Sequence, residues 1–463
     1  MHRIANALAL ALYSLALWLA TPLLMRKLRR RARTEPGYAV AVPERLGHYA
    51  PWLDSLSPPS QGQDQPHWIW IHAVSLGETR AAAILLNELR ALLPGMRLLL
   101  THGTATGRAE GAKLLQPGDV QVWQPWDTPG AVGRFVRRFR PAIGILMETE
   151  IWPNLVAVCR AHQVPLVLAN ARLNEKSLAG AHRLRWLSRP AYAGLSAVWA
   201  QTEQDAARLR DVGAPVAGVF GNLKFDAQPS PGQQAQGRAW RAVSARPVVL
   251  LASSREGEEA MWLEVVKPKQ PLAPVNQALS AINTEAKIST APAMPVQWLI
   301  VPRHPQRFDE VQRLCQQAGL SVSCRSQWAG APAPADVWLG DSLGEMALYY
   351  SLAHVALLGG SFAPLGGQNL IEAAACGCPV VLGPHTFNFA QAAALAVEAG
   401  AADRVADMAE GVAAAIALAQ DPPRLQQRTR RCLDFTQAHR GAARATALAV
   451  QGQLRSAASG VHG

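Results

Sequence analysis

The sequence predicts an α/β protein of two successive parallel-sheet domains behind an apolar N-terminal helix. Three observations carry that expectation. From residue 67 onward, short apolar runs alternate with stretches of helical period, the pattern of βαβ units in a parallel sheet. A polar segment at 227–237 (AQPSPGQQAQG) breaks the alternation before it resumes, as a linker between domains does. Residues 4–25 are 22 positions without a charge, long enough to cross a bilayer as one helix. Composition agrees: 463 residues, 49% hydrophobic and 17% charged, fit two or three globular domains and set aside disordered, collagenous and coiled-coil classes.

The N-terminal segment comes first. Only Asn6, Tyr13, Ser14, Thr21 and Pro22 interrupt its aliphatic and aromatic character. Arg3 precedes it, and Arg26, Lys27, Arg29, Arg30, Arg31 and Arg33 follow, supplying half of the net charge of +12. A cleaved signal peptide carries its basic residues ahead of the apolar core, so this order points to an uncleaved single-pass anchor. The positive-inside rule keeps the basic cluster, and the body after residue 33, on the cytoplasmic face. The cluster also suits anionic head groups. A half-inserted amphipathic helix with the same flank is the alternative. Nucleic acid is not an expected partner, because the basic excess lacks interleaved stacking aromatics.

Expected strands follow at 67–73, 97–100, 120–123, 143–147, 166–169 and 197–200, with a helix at 79–93. After the linker come 248–252, 298–301, 337–339, 355–358 and 380–382. Residues 267–295 carry five prolines without periodicity and read as a surface insertion. The expected division is an anchor at 1–33, a first domain at 34–228, a linker at 229–246 and a second domain at 247–463. Six scattered cysteines without C-x-x-C read as reduced packing residues.

Candidate chemistry lies at strand ends, where doubly wound sheets bind ligands. The loop Ser75-Leu76-Gly77-Glu78 joins the first strand to a helix. Glu78 there is either a general base or a complement to the helix dipole. Residues 73–77 approach a nucleophile elbow, but Ala73 replaces its first glycine and the serine follows the first strand of its domain. A second acidic loop, Glu148-Thr149-Glu150-Ile151-Trp152-Pro153-Asn154, opens on the same edge. Carboxylates so placed raise at least one pKa by repulsion. A helix start capped by Thr149 is the other reading.

In the second domain, the segment 301–307 (VPRHPQR) offers cations suited to a phosphate. Gly359-Gly360-Ser361 and then Gly366-Gly367-Gln368-Asn369-Leu370-Ile371-Glu372 read as a glycine-rich turn running into a helix. Such a helix start attracts an anion, and Glu372, three residues in, suits ribose hydroxyls. No G-x-G-x-x-G, G-x-x-x-x-G-K-[ST] or H-E-x-x-H occurs. The histidines lack metal-ligand spacing.

Taken in order, these segments resemble the 3-deoxy-D-manno-oct-2-ulosonic acid (Kdo) transferases. The resemblance rests on HAVSLGE (72–78), METEIWPN (147–154), NARL (170–173), GNLKFD (221–226), VPRHPQRF (301–308), GDSLGEM (340–346) and GGQNLIEAAA through GPHTFNF (366–389). It implies a GT-B fold, with an N-terminal acceptor domain, a C-terminal donor domain and a cleft between them. It implies inverting transfer of Kdo from CMP-Kdo to the lipid A precursor, lipid IVA, at the inner membrane, with no metal and no cofactor. It assigns the base to Glu78 and transition-state stabilisation to Glu148 and Lys224. It assigns CMP contacts to Pro302, Arg303, Gly344, Glu345, Met346, Asn369, Leu370, Ile371 and Glu372. The chain departs from the family where Gln368 replaces a common histidine, where Ser254-Arg255 replaces a Thr-His pair, and at the 267–295 insertion. Another GT-B enzyme using a nucleotide sugar, or a non-catalytic membrane scaffold, is the alternative reading.

Overall fold

A computed structural model describes residues 2–51, 68–267 and 294–459. Most of the expected insertion, 268–293, lies outside the described residues. The chain divides into two compact units: Met1–Ala227 with His439–Gly463, and Gln228–Ala438.

The first unit holds β1 (Trp68–His72), β2 (Arg97–His102), β3 (Val120–Trp123), β4 (Ile143–Met147), β5 (Leu166–Ala171), β6 (Ala197–Ala200) and β7 (Val216–Val219). They pair in parallel in the order β3-β2-β1-β4-β5-β6-β7. Helices cover both faces, so β1 is buried at every position and reads WIWIH without a polar alternation until its end. Trp70 packs into one core with Phe135 and Leu146, while Ile69 and Ile71 pack into the other with Leu85 and Leu89. That split follows the two-residue period of a strand.

The second unit holds β8 (Val248–Ser254), β9 (Gln297–Pro302), β10 (Val322–Cys324), β11 (Val337–Leu339), β12 (Val355–Leu358), β13 (Val380–Leu382) and β14 (Ala402–Arg404). Their parallel order is β10-β11-β9-β8-β12-β13-β14. Both sheets thus reverse their winding once, at β1/β4 and at β8/β12. The loops after those four strands are the natural ligand positions of such sheets. The unforeseen strands β7, β10 and β14 read VAGV, VSC and ADR, too short and too weakly apolar to stand out.

Two expected boundaries are corrected. The 229–246 linker contains a helix, Pro231–Ala242, started by the Ser230 side chain and by proline in its first turn. It belongs to the second unit, where a Cβ on Gly237 would stand 2.3 Å from the Leu348 carbonyl oxygen. The 247–463 domain ends early, because residues 439–463 return to the first unit. Ala442, Ala443, Ala447 and Val450 of the helix Ala442–Ser459 bury against the Ile71 face of the first sheet. Asp226 anchors the return by accepting the Gly441 and Ala443 amides at 2.6 and 2.7 Å. A helical period reveals an apolar face but not which sheet it covers.

Candidate active site

The switch point of the first sheet gathers three carboxylates and two cations. Ser75 caps the helix Leu76–Leu92 and Glu78 stands in its first turn. Glu78 Oε2 accepts the Val74 amide at 2.9 Å, and Oε1 accepts the Ser75 hydroxyl at 2.9 Å. The cap and the candidate base therefore use one carboxylate. Each oxygen retains acceptor capacity beyond its single bond. Burial raises the Glu78 pKa; the bonds from Val74 and Ser75 oppose the shift, the Glu148 charge adds to it and Arg172 works against it.

Glu148 follows β4 with φ at +58°, a left-handed conformation unfavourable for a side chain of its kind. It is only 4% exposed. Its Oε1 meets Lys224 Nζ at 3.3 Å and its Oε2 meets Arg172 Nε at 2.9 Å. The strained turn thus points a buried carboxylate at two cations from different loops. Asn170, also left-handed, accepts the Leu223 amide at 3.1 Å and so fixes the turn Leu223–Asp226 that carries Lys224. Glu150 completes the cluster: burial, then the charges of Glu78 and Glu148, push its pKa up to about 7, against a hydrogen bond from the Trp152 indole. The repulsion expected between neighbouring acids is present, and it falls most heavily on Glu150. The helix Pro153–Ala161 starts next to this loop without a cap from Thr149; Trp152 stands at its cap position.

In the second unit, Pro302 ends β9 and the Arg303 amide donates to the Ser254 carbonyl at 2.9 Å. Arg303 Nε donates to Gln368 Oε1 at 3.2 Å, so the residue at the unusual position braces the expected CMP contact. Gly344, at φ +80°, precedes Glu345, whose carboxylate takes the Ser342 hydroxyl at 2.5 Å and Arg325 at 3.0 Å. Met346 begins the helix Met346–Leu352, with its sulfur 3.9 Å from the Ser253 hydroxyl. Asn369 Oδ1 accepts the Ile371 amide at 3.1 Å. Leu370 and Ile371 turn their side chains into the core, so only their backbones can meet a ligand.

Three details of the second unit correct the sequence reading. The turn at 359–361 is no phosphate cradle, because the fully buried Glu258 carboxylate takes the Gly360, Phe362 and Ala363 amides at 2.7, 3.0 and 3.2 Å. A Cβ on Gly359 would stand 2.3 Å from the Ser253 carbonyl oxygen, so that glycine serves packing. The helix after Gly366 and Gly367 is only Ile371–Ala375, which places Glu372 second in it and leaves little dipole for an anion. Arg307 is paired with Glu259 at 2.8 and 3.0 Å and with Glu310, which makes it a structural cation.

Sequence reasoning left Arg172 and Asn170 without roles although both lie in the NARL segment. Their position at the carboxyl end of β5, Asn170 in its last residues and Arg172 directly after it, was the available signal.

Two doubly wound units, one ending in a carboxylate cluster and the other in a braced arginine, define the GT-B class of α/β protein. A glycosyltransferase from Rickettsia africae aligns with a TM-score of 0.52 at 10% identity, over 84% of this chain and 99% of that one. The UDP-GlcNAc 2-epimerase of Neisseria meningitidis aligns with a TM-score of 0.53 at 14% identity, over 84% and 100%. Both likenesses concern the fold alone. The family model of 3-deoxy-D-manno-octulosonic-acid transferase (kdotransferase) matches residues 41–227. The 3-deoxy-D-manno-octulosonic acid transferase of Bordetella pertussis is 44% identical over 450 residues, 96% of this chain and 99% of that protein. The chain therefore belongs to the Kdo transferase family of glycosyltransferases.

Proposed function

We propose that this enzyme moves Kdo from CMP-Kdo to the lipid A precursor, lipid IVA, at the cytoplasmic face of the inner membrane, with Glu78 as the general base. The observation that carries this reading is the first-unit cluster, in which a half-buried Glu78 with a raised pKa stands beside the bridged Glu148. A sugar hydroxyl of the acceptor attacks the anomeric carbon of Kdo, and its proton passes to the Glu78 carboxylate. The bond from that carbon to the CMP phosphate oxygen breaks, and CMP departs with the electron pair. Attack opposite the leaving group inverts the anomeric centre.

Raising the Glu78 pKa toward neutrality improves it as a base. Its hydrogen bonds from Val74 and Ser75 hold it in place meanwhile. Glu148 and Lys224 form a fixed charge pair that stabilises the transition state without reorganising. The second unit holds CMP through Pro302, Arg303, Gly344, Glu345, Met346, Asn369, Leu370, Ile371 and Glu372. Arg303 supplies charge to the departing phosphate, and Leu370 and Ile371 act through their backbones.

The test is mass analysis of lipid IVA after incubation with the purified protein and CMP-Kdo, with and without EDTA. The expected product carries added Kdo and forms at the same rate in EDTA. An unmodified acceptor, with transfer from a UDP-sugar instead, would overturn the reading.

A further inference from the structure

The N-terminal helix His2–Thr34 is long and apolar enough to cross a membrane. Its polar interruptions are not scattered. Asn6 lies seven and eight residues before the adjacent Tyr13 and Ser14, and Thr21 lies eight and seven after them, which places all four on one helical face. That face is the less exposed one along the whole apolar stretch. Midway, the Ser14 hydroxyl donates to Asn154 Oδ1 at 3.0 Å, and Tyr13 hydrogen-bonds Asp127. Both partners are buried, and Asp127 in turn accepts the Asn154 and Leu155 amides at 3.0 and 2.7 Å. The midpoint of the apolar stretch is therefore tied to the start of the helix Pro153–Ala161, next to the acidic loop.

The opposite face is a continuous apolar stripe. Ile4, Leu8, Leu12, Leu15, Leu19 and Leu23 recur at three- and four-residue steps with Trp18 beside Leu19, each more than half exposed. The helix Arg185–Ala193 packs against the less exposed face of the N-terminal helix, where a cavity of about 260 Å³ opens, lined by Asn6, Leu10, Ala157, Arg160, Trp186 and Pro190. Exposed Leu184 and Trp186 there are flanked by exposed Arg183, Arg185 and Arg189. The stripe itself runs into the exposed cations from Arg26 to Arg33.

A crossing helix carries its midpoint to the centre of the hydrocarbon, roughly 15 Å from either surface. Holding that midpoint to Asn154 and Asp127 would draw the body, with its exposed arginines, to the same depth. Charged groups at that depth are strongly disfavoured. An orientation in the membrane plane meets both demands, because apolar side chains enter the acyl region while the arginines reach head groups. We propose that the N-terminal helix lies in the plane of an anionic leaflet, that it and the 184–189 region form one seat on that leaflet, and that the N-terminus stays on the same side as the body. This replaces the crossing expected from hydropathy, and it does not depend on the identity of the transferred sugar.

The experiment uses the full-length chain with a protease-cleavable tag before Met1. Cleavage in inverted inner-membrane vesicles, with protection in spheroplasts, is expected; the reverse pattern overturns the proposal. A Ser14→Cys/Asn154→Cys pair, with Leu10→Cys/Ala157→Cys as a second pair, should cross-link under mild oxidation in membranes, and absence of both cross-links overturns it. Purified protein should bind phosphatidylglycerol vesicles at least tenfold better than phosphatidylcholine vesicles, and Leu184→Ser/Trp186→Ser should reduce that binding severalfold. Equal binding to both lipids, or a dimer that hides the stripe and binds neither, would overturn it as well.

Discussion

The two sheets reverse their winding in the same way, yet the two switch points are put to opposite use. At β1/β4 the acids face one another: Glu78, Glu148 and Glu150 are half-buried or buried, mutually repelling, and balanced by Lys224 and Arg172. At β8/β12 the buried acid faces only donors, since Glu258 accepts the Arg255, Gly360, Phe362 and Ala363 amides and thereby stitches the two strand-end loops together. A carboxylate whose acceptor sites are filled by backbone amides is part of the scaffold. A carboxylate held near like charges is poised to titrate. Burial alone does not separate the two; the identity of the neighbours does.

The difference between the two switch points is sharpest at Glu78. Glu78→Gln keeps size and cap bonding but removes the proton acceptor, so the single-turnover rate should fall roughly a hundredfold to ten-thousandfold. Thermal melting should move little, because even complete loss of a cap costs about 1 kcal/mol. A folded variant within threefold of the wild-type rate would leave this acid as a mere cap and move the base to Glu148. The opposite pattern is expected of Glu258→Ala. Three buried amides and the part-buried Arg255 amide lose their acceptor, which should cost about 3 kcal/mol or more of stability. Denaturant titration followed by fluorescence should show the loss, and a midpoint within error of wild type would dissolve the distinction between the two switch points.

Some of this was legible in the sequence. Apolar runs such as VVLLA and IGILM announce central parallel strands because both of their faces are covered. Glu148 stood out because it directly follows such a run, and Glu78 because it opens the helix after the first strand; both lie at strand ends, where doubly wound sheets bind ligands. The function of the 359–361 glycines was misread for a physical reason: a glycine records that something approaches closely, but not whether it is a ligand or, as here, the Ser253 carbonyl. The return of residues 439–463 to the first unit was hidden for a similar reason. An alanine-rich stripe fits any flat apolar surface, and the deciding Asp226 bonds link residues more than two hundred positions apart.

The donor residues test a finer aspect. Arg303→Ala and Glu372→Ala should each weaken CMP-Kdo binding by tenfold or more, since a charge-assisted contact is worth roughly 1.5 to 3 kcal/mol. Acceptor binding should be unchanged. Gln368→Ala, which only releases the brace on Arg303, should weaken donor binding less than Arg303→Ala does. Isothermal titration with CMP ranks the three, and wild-type affinity in all of them would remove the donor pocket from this loop set.

The smallest effect belongs to Glu150, where the prediction depends on the sign of a pKa shift. Its pKa is raised from 4.5 to about 7, first by burial and then by the charges of Glu78 and Glu148. The folded state therefore prefers the protonated form. The resulting stability is fully present below the unfolded pKa and is lost as pH rises from about 4.5 through about 7. Glu150→Gln cannot ionise and should escape that loss. Melting at pH 5 should differ little between variant and wild type, whereas at pH 8.5 the variant should be more stable by roughly 1 to 2 kcal/mol, a range discounted for partial solvent screening. If instead the stability gain were the same at both pH values, Glu150 would be a packing residue, and the like-charge repulsion that sets the first switch point apart from the second would rest on Glu78 and Glu148 alone.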